Sequence, residues 1–258
     1  MKLENRVAAI TGGTAGIGRA IAEAYLAEGA KVTIMARNAE KAAAMLKEIG
    51  AGDRLVFCQG DATSQDDLEA FVDKTVETFG QVDVLVNNAG GAGDLQPIVD
   101  LSDEAFDLAM KWNVYSTFWA TRRALKNMLP NKWGRVINIS SVEGKNGTPV
   151  LTAYVAAKHA VNGMTKSIAR EVGTEGVTVN AICPGLILTD IVKDSGPATA
   201  AAMGISFDEM VAMFVSESAI KRPNKVEEVA AVAVLLASEA GAGITGALIS
   251  VDGGTAHY

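Results

Sequence analysis

A tyrosine and a lysine four residues apart, Tyr154 and Lys158 in the stretch YVAAK, are the residues best suited to chemistry in this sequence. On a helix this spacing places both side chains on one face, one turn apart. A free tyrosine has a pKa of about 10, and a nearby ammonium group favours the phenolate. We therefore expect Lys158 to lower the pKa of Tyr154, so that the phenol can give a proton to a carbonyl oxygen or remove one from an alcohol.

Two adjacent serines, Ser140 and Ser141, end the apolar run GRVINISS. A serine hydroxyl at this place could hydrogen-bond a substrate oxygen and stabilise the negative charge that develops on it. Successive side chains of a strand point to opposite faces, so only one of the two serines can face the substrate. This alternation does not by itself decide which one.

A glycine-rich turn, TGGTAGIG at 11–18, joins the first apolar run to the first amphipathic segment. Glycine lets the backbone turn tightly and approach a pyrophosphate closely. The start of the following helix adds free N–H groups and a dipole that favours an anion. The turn therefore predicts a dinucleotide site.

Short apolar runs alternate with longer amphipathic segments along the chain, which predicts strands separated by helices. The predicted strands are 7–11, 31–36, 54–60, 134–141, 177–185 and 246–251, and 82–90 is predicted as a strand that runs into a loop. The predicted helices follow the glycine turn as far as Gly29 and then cover 39–49, 64–79, 102–129, 152–173, 206–215 and 225–237. We assign the segment 189–222 as a substrate lid with one short helix.

Near-continuous apolar strands are typical of a sheet that is covered on both faces. Repeated strand–helix units predict an α/β fold: a doubly wound Rossmann sheet of about seven parallel strands, with helices on both faces, in a single domain over 1–258. Ligands of such sheets bind beyond the carboxyl ends of the strands. The glycine turn, Ser140 and Ser141 all lie at strand ends of this kind.

Composition and charge exclude several other classes of protein. The net charge of −7 and the lack of Lys/Arg clusters argue against nucleic-acid binding. Two distant histidines, His159 and His257, give no metal-ligand spacing, so we expect no metal. Cys58 and Cys183 lie in apolar runs and are expected to be buried free thiols. We expect no membrane span and, without a signal sequence, a cytoplasmic protein.

Six motifs occur together in this chain: TGGTAGIG at 11–18, NNAG at 87–90, Asn113, Ser141, YVAAK at 154–158 and CPG at 183–185. In their order and spacing, from about residue 3 to 254, the chain resembles the short-chain dehydrogenase/reductase family. The glycine spacing Gly-x-x-x-Gly-x-Gly, in place of Gly-x-Gly-x-x-Gly, points to the same family. The resemblance implies hydride transfer between a nicotinamide cofactor and a small ketone or secondary alcohol, with Tyr154 as general acid/base.

The resemblance also implies roles for individual residues. The family's serine lies thirteen residues before its tyrosine, which selects Ser141 over Ser140. The implied catalytic residues are Asn113, which holds a water for proton relay, Ser141, Tyr154 and Lys158, which also holds the nicotinamide ribose. The predicted cofactor-binding residues are Gly12, Thr14, Gly16, Ile17, Gly18, Arg37, Asp61, Ala62, Asn88, Ala89, Gly90, Tyr154, Lys158, Pro184, Gly185, Ile187 and Thr189.

The choice of cofactor depends on the end of the second strand. NAD enzymes place an acidic residue there to accept from the ribose 2′-OH, and this chain has Ala36 followed by Arg37. An arginine can pair with a 2′-phosphate through charge-assisted hydrogen bonds. Many NADP members of the family have a second basic residue before the middle glycine, where this chain has Ala15. We favour NADP(H), with NAD(H) as the alternative.

The predicted substrate-binding residues are Ser141, Glu143, Leu151, Tyr154 and Leu186. The chain resembles 3-hydroxybutyrate dehydrogenases, but these have a histidine at the position of Glu143 and a lysine at that of Leu151. A small anionic acid would meet a negative charge and no cation, so we discount it. Glu143 faces either the substrate or solvent. A neutral ketone or secondary alcohol, or one with an amine, fits better.

Two further functions remain as alternatives. The chain also resembles 3-oxoacyl-carrier-protein reductases, although Lys126 and Lys132 give only a weak basic patch for an acidic carrier. A nucleotide-binding sensor without catalysis would be expected to lack Ser141, Tyr154 or Lys158. The resemblance implies a homotetramer built through the helices at 102–129 and 152–173 and the last helix and strand.

Overall fold

Seven parallel strands form one sheet in the order β3-β2-β1-β4-β5-β6-β7 in the computed structural model, which describes residues 1–256. The strands are β1 (Val7–Thr11), β2 (Lys31–Ala36), β3 (Leu55–Gln59), β4 (Val84–Asn87), β5 (Gly134–Ile139), β6 (Val177–Pro184) and β7 (Leu248–Val251). The strand order reverses between β1 and β4, which opens a crevice at their carboxyl ends. The predicted doubly wound parallel sheet is confirmed.

The connecting segments are helical. The α-helices of the described residues are α1 (Gly16–Ala27), α2 (Ala39–Ile49), α3 (Gln65–Phe79), α4 (Asp103–Met110), α5 (Ser116–Met128), α6 (Thr152–Val172), α7 (Asp190–Ala202), α8 (Phe207–Glu217) and α9 (Val226–Ala237). Several predicted strands were too long, because the prediction included polar residues such as Ser140 and Ser141. Those residues belong to the loops that border the crevice.

Both faces of the sheet are covered by helices. On one face α1 packs against α9, and the buried hydroxyl of Tyr25 donates to the carbonyl oxygen of Ala233 at 3.1 Å. On the other face Phe71 of α3 and Met128 of α5 belong to a second buried cluster. This coverage explains why β1 and β6 are buried along their whole length and contain almost only apolar residues.

The single helix predicted over 102–129 is wrong in one respect. The chain turns as a π-helix over Lys111–Tyr115, between α4 and α5. Asn113 lies in this turn, and its side-chain Nδ2 donates to the carbonyl oxygen of Ala109 at 2.9 Å. A π-turn is a rare single-turn insertion inside an otherwise continuous helix, so the helical pattern over 102–129 did not reveal it.

The segment 189–222 contains two helices, α7 and α8, where the sequence predicted one at 206–215. The sequence did not predict α7 because Gly196 and Pro197 both disfavour a helix interior. Gly196 is explained by packing, because a Cβ there would lie 2.2 Å from the Phe207 ring.

No single helix of residues 1–256 has the length and apolar character to cross a membrane. The pair α7 and α8, bent by 95°, passes that test jointly.

Candidate active site

A cavity of about 550 Å³ lies at the carboxyl ends of the strands, where the strand order reverses. Its size is typical of a site for a small molecule or cofactor. All the predicted cofactor and substrate residues line it except Gly18, and among the predicted catalytic residues only Asn113 does not. The structure therefore brings together residues from segments as distant as Gly12 and Thr189.

The glycine turn forms one wall of the cavity. Gly12 and Gly16 have φ values of +67° and +52°, which favour glycine. Ala15 precedes α1 without a side-chain cap, and the first turn of α1 has no acidic residue. The N–H groups at the start of this helix are thus left for an anion that enters the cavity. This is the arrangement that a cofactor pyrophosphate requires.

Gly18 is the one predicted cofactor-binding residue that does not line the cavity. A Cβ on Gly18 would lie 2.4 Å from the carbonyl oxygen of Gly12 and 2.5 Å from Asn88 Nδ2. The last glycine of the turn therefore lets the start of α1 pack closely against Gly12 and Asn88.

Thr11, which the sequence analysis did not single out, ties the glycine turn to the loop after β4. Its Oγ1 accepts hydrogen bonds from the backbone N–H groups of Asn88 and Ala89, both at 3.0 Å. Asn88 Nδ2 in turn donates to the carbonyl oxygens of Thr11 and Gly12. These bonds hold both loops at a fixed separation across the crevice. The available sequence signal was a threonine at the end of a predicted apolar strand.

The far end of the cavity is bordered by Arg37 and Asp61. The Asp61 carboxylate accepts from the backbone N–H and hydroxyl of Thr63, at 2.8 and 2.9 Å, and the backbone bond is the main cause of its lowered pKa. Arg37 is exposed and has no ion-pair partner within the described part of the chain. Its cation is therefore open to an incoming anion.

A second cation at this end, Lys41, was missed by the sequence analysis. Lys41 lines the cavity from the first turn of α2, and its Nζ lies 3.4 Å from Asp190 Oδ2 at the start of α7. Both side chains are largely exposed, so this ion pair adds little to stability. The spacing of Arg37 and Lys41 around the cap residue Asn38 was the signal that could have revealed it.

At the centre of the cavity, Ser141 is held with its proton free. Its Oγ accepts a hydrogen bond from the backbone N–H of Glu143 at 3.1 Å. The hydroxyl can then donate outwards, and a hydrogen bond between Ser141 and Tyr154 stabilises the phenolate in part. Ser140 points elsewhere, because its Oγ donates to the carbonyl oxygen of Lys158 at 3.4 Å. The two serines therefore face different directions.

Lys158 was expected to lower the pKa of Tyr154, but in the structure that pKa is raised. Burial is the main influence and raises the pKa of Tyr154 to about 12. Burial also lowers the pKa of Lys158 to about 8. Lys158 Nζ donates to the carbonyl oxygen of Ile139 at 2.9 Å and lies 5.5 Å from the centroid of the Tyr154 ring. In this arrangement desolvation of the phenol outweighs any help from the ammonium group.

Asn113 lies just behind the cavity. Its side chain accepts from the backbone N–H of Gly91 at 3.2 Å and donates to the Gly91 carbonyl oxygen at 3.0 Å. Gly90 passes so close that a Cβ there would lie 2.5 Å from Asn113 Oδ1 and 3.6 Å from Lys158 Nζ. The π-turn thus brings Asn113 against the loop after β4, and Gly90 of that loop lies close to both Asn113 and Lys158.

Glu143 is buried in the cavity wall, so the alternative that it points to solvent is wrong. Only 7% of the residue is exposed. Its Oε1 accepts from the Thr148 hydroxyl at 2.8 Å, whereas Oε2 has no hydrogen-bond partner in the described structure. Burial raises the pKa of this carboxyl group; the Thr148 hydrogen bond opposes the shift, and Glu217 adds to it.

Within residues 1–256 no group of three or more His, Cys, Asp or Glu side chains could hold a metal ion. His257, one of the two histidines considered from the sequence, lies outside the described residues. Both cysteines are free thiols; Cys183 is buried as predicted, but Cys58 is only partly buried.

Comparison with known proteins agrees with this geometry. Residues 6–200 match the family model described as short chain dehydrogenase. The chain is 37% identical to a D-beta-hydroxybutyrate dehydrogenase of Cupriavidus necator, over 98% of each chain. It is 35% identical to a 3beta-hydroxysteroid dehydrogenase of Mediterraneibacter gnavus, over 100% of this chain and 97% of the relative.

Two solved structures are similar over nearly their whole length. One is a single-residue variant of actinorhodin polyketide ketoreductase with NADPH, with a TM-score of 0.92, 35% identity and 98% of each chain covered. The other is levodione reductase, with a TM-score of 0.93, 32% identity and coverage of 99% of this chain and 100% of that one. The sheet order and helix placement are thus shared along the chain.

The fold and the cavity define an oxidoreductase of the dinucleotide-binding class. The chain belongs to the short-chain dehydrogenase/reductase family, and it is an NAD(P)-dependent enzyme that acts on CH–OH groups.

Proposed function

We propose that this enzyme transfers a hydride between NADP(H) and a small ketone or secondary alcohol, with Tyr154 as the general acid/base. The observation that carries the proposal is the grouping of Ser141, Tyr154 and Lys158 in one cavity with the uncapped start of α1. A nicotinamide cofactor bound there would supply or accept the hydride. The substrate is a small molecule.

Ser141 and Tyr154 both act on the substrate oxygen, one by hydrogen bonding and the other by proton transfer. The Ser141 hydroxyl, whose acceptor site is used by the Glu143 N–H, donates to that oxygen and stabilises its developing charge. Tyr154 is protonated at neutral pH, since burial raises its pKa to about 12. The phenol is therefore ready to donate a proton in the direction of ketone reduction, and it must lose that proton before alcohol oxidation.

Lys158 and Asn113 support this proton transfer. Lys158 is mostly charged at pH 7, because its pKa of about 8 lies above that value. Its ammonium group would hold the ribose hydroxyls of the nicotinamide and replace the proton that Tyr154 gives away. Asn113, fixed to Gly91, would hold a water on the path from Lys158 to solvent.

The cofactor residues follow the walls of the cavity. The turn from Gly12 to Ile17 would hold the pyrophosphate, the loop 88–90 would follow the cofactor, and the segment 184–189 would hold the nicotinamide amide and phosphates. The exposed cation of Arg37 and the apolar Ala36 favour a 2′-phosphate over a free 2′-hydroxyl. NADP(H) is therefore preferred to NAD(H), and Lys41 offers a second cation that the sequence analysis lacked.

The enzyme is proposed to be a cytoplasmic homotetramer, as its family resemblance implies. Exposed apolar side chains on α4, the π-turn and α5, among them Leu108, Tyr115 and Phe118, support an interface on those helices. A 3-oxoacyl-carrier-protein reductase is less favoured, because such an enzyme needs a basic docking patch for its acidic carrier.

A panel of ketones and secondary alcohols, assayed by NADPH and NADH consumption or formation, tests the proposal. The wild type should reduce at least one ketone faster with NADPH, and Tyr154→Phe should lose the activity by a factor of about 10² or more. Equal rates in both proteins would rule out the role of Tyr154. Cofactor binding without turnover of any ketone or alcohol would support a sensor.

A further inference from the structure

The unpaired carboxyl oxygen of Glu143 points to the chemistry of the substrate. Glu143 follows Ser141 by two residues and lines the same cavity. One of its oxygens is fixed by Thr148, and the other, Oε2, has no partner in the described structure although the residue is more than nine-tenths buried. Buried polar groups are almost always hydrogen-bonded, so an orphan at a binding site indicates a donor that arrives with the ligand.

Most of the other residues on the substrate side of the cavity are apolar, and they include Val142, Leu151, Leu186, Met210 and Phe214. Ser195 and Thr199 of α7 also line the cavity, but their hydroxyls already donate to backbone carbonyl oxygens of their own helix. The apolar side chains offer no hydrogen bond to a substrate, and Lys158 is already engaged with the carbonyl oxygen of Ile139. Glu143 is thus the group on this side that can distinguish substrates by polarity. A carboxylate ligand would instead be repelled by it.

We infer that the substrate has an apolar body and, next to its reacting carbonyl carbon, a second hydrogen-bond donor that Glu143 binds. The donor is a hydroxyl or an ammonium group; either can satisfy Oε2. This inference rests on the proposed function and adds the substrate class to it. Ser141 and Tyr154 would hold the carbonyl oxygen, and Glu143, whose backbone N–H donates to the Ser141 hydroxyl, would hold the second group nearby.

Three ketones that differ in one group form the test: acetophenone, 2-hydroxyacetophenone and 2-aminoacetophenone, each with NADPH. We expect kcat/KM of the wild type to be at least about tenfold higher for one or both substituted ketones, since a site built to bind a donor discriminates against a ligand that lacks it. Preference for the amine alone indicates a charged Glu143, and preference for the alcohol indicates recognition by hydrogen bonding.

The matched variants are Glu143→Leu and Glu171→Gln. Glu171 is an exposed carboxylate on α6 that does not line the cavity, so its variant should keep the wild-type preference. In Glu143→Leu the ratio of kcat/KM for substituted to plain ketone should fall to about one. Thr148→Val, which frees the other carboxyl oxygen, should change that ratio without removing Glu143. Because each ratio is measured within one protein, a partly unfolded variant does not distort it.

The possible failures are distinguishable. If the wild type reduces acetophenone but shows no preference, or if Glu143→Leu keeps the preference, the inference about Glu143 is wrong and the proposed function stands. If the wild type reduces none of the three ketones nor any ketone of the wider panel, the proposed function itself fails.

Discussion

The Oγ of Ser141 lies 3.1 Å from the backbone nitrogen of Glu143 and accepts its hydrogen bond. This contact sets the direction in which the hydroxyl proton points. It also places the Ser141 hydroxyl and the one buried carboxyl of the described cavity wall at the same short turn, Val142–Gly144, of which Ser141 is the N-cap. Oxyanion stabilisation and substrate selection are therefore proposed to depend on a single local structure.

Ser141→Ala should lower kcat by about 10²–10³-fold, because it removes a donor that acts on the charge of the transition state. Ser140→Ala is the matched control, since the Ser140 hydroxyl is directed to the carbonyl oxygen of Lys158. Steady-state kinetics with any ketone that the wild type reduces gives the comparison. A larger loss in Ser140→Ala than in Ser141→Ala would reverse the assignment.

Arg37→Ala should raise KM for NADPH by about 10–100-fold and leave KM for NADH almost unchanged. The reason is that a charge-assisted bond to the 2′-phosphate contributes about 1.5–3 kcal/mol, and each 1.4 kcal/mol is about a factor of ten. Lys47→Ala, an exposed change at the other end of α2, controls for net charge. Equal effects of Arg37→Ala on both cofactors would contradict the preference for NADP(H).

Lys158 should leave a signature in the pH dependence of stability. Burial lowers its pKa to about 8 from the ordinary 10.5, so between these values the unfolded chain binds more protons than the folded one. The free energy of unfolding should therefore rise with pH in this window, by up to about 1.4 kcal/mol per pH unit. Lys158→Met lacks the titrating group and should lack this rise.

Denaturant unfolding measures the free energy of unfolding of both proteins across this pH window, from just below the folded pKa of Lys158 to its ordinary value. The other titrating groups contribute equally to both proteins, so the difference between the two curves reports Lys158. Parallel curves for wild type and Lys158→Met would mean that the lysine keeps its ordinary pKa in the folded protein. The same variant should be inactive, which separates its role in catalysis from its cost to stability.

The small hydroxy acid used by the Cupriavidus necator relative should be a poor substrate here. Glu143 presents an acidic group and Leu151 no charge where a carboxylate would bind. Glu143→His with Leu151→Lys should raise kcat/KM for 3-hydroxybutyrate by at least about tenfold. The single variant Leu151→Lys, which keeps Glu143, should gain less. Efficient turnover of 3-hydroxybutyrate by the wild type would show that Glu143 does not govern the charge of the substrate.

Local sequence patterns predicted the sheet and most of the loops that form the cavity. Apolar runs broken by amphipathic segments predicted the seven-stranded sheet, and strand ends predicted which loops meet at the cavity. Alternation of side chains and family spacing together separated Ser141 from Ser140. These features follow from backbone geometry, which nearby residues determine.

The parts that could not be predicted depend on contacts between distant segments. The π-turn at Asn113 is stabilised by Gly91, and Gly196 inside α7 is explained only by Phe207. The pKa of Tyr154 depends on how completely the fold removes water from the phenol. The four-residue spacing to Lys158 predicted a lowered pKa, whereas burial raises it. The burial of Glu143 and its bond to Thr148 likewise became evident only in the folded chain.

Hydride transfer at the cavity bounded by Ser141 and Tyr154 can be followed with NADPH that has deuterium at the transferable C4 position. We expect mass spectrometry of the alcohol product to show one deuterium on the carbinol carbon with the wild type, and no labelled alcohol above background with Tyr154→Phe. Unlabelled alcohol from the wild type, or equal labelled product from both proteins, would contradict it.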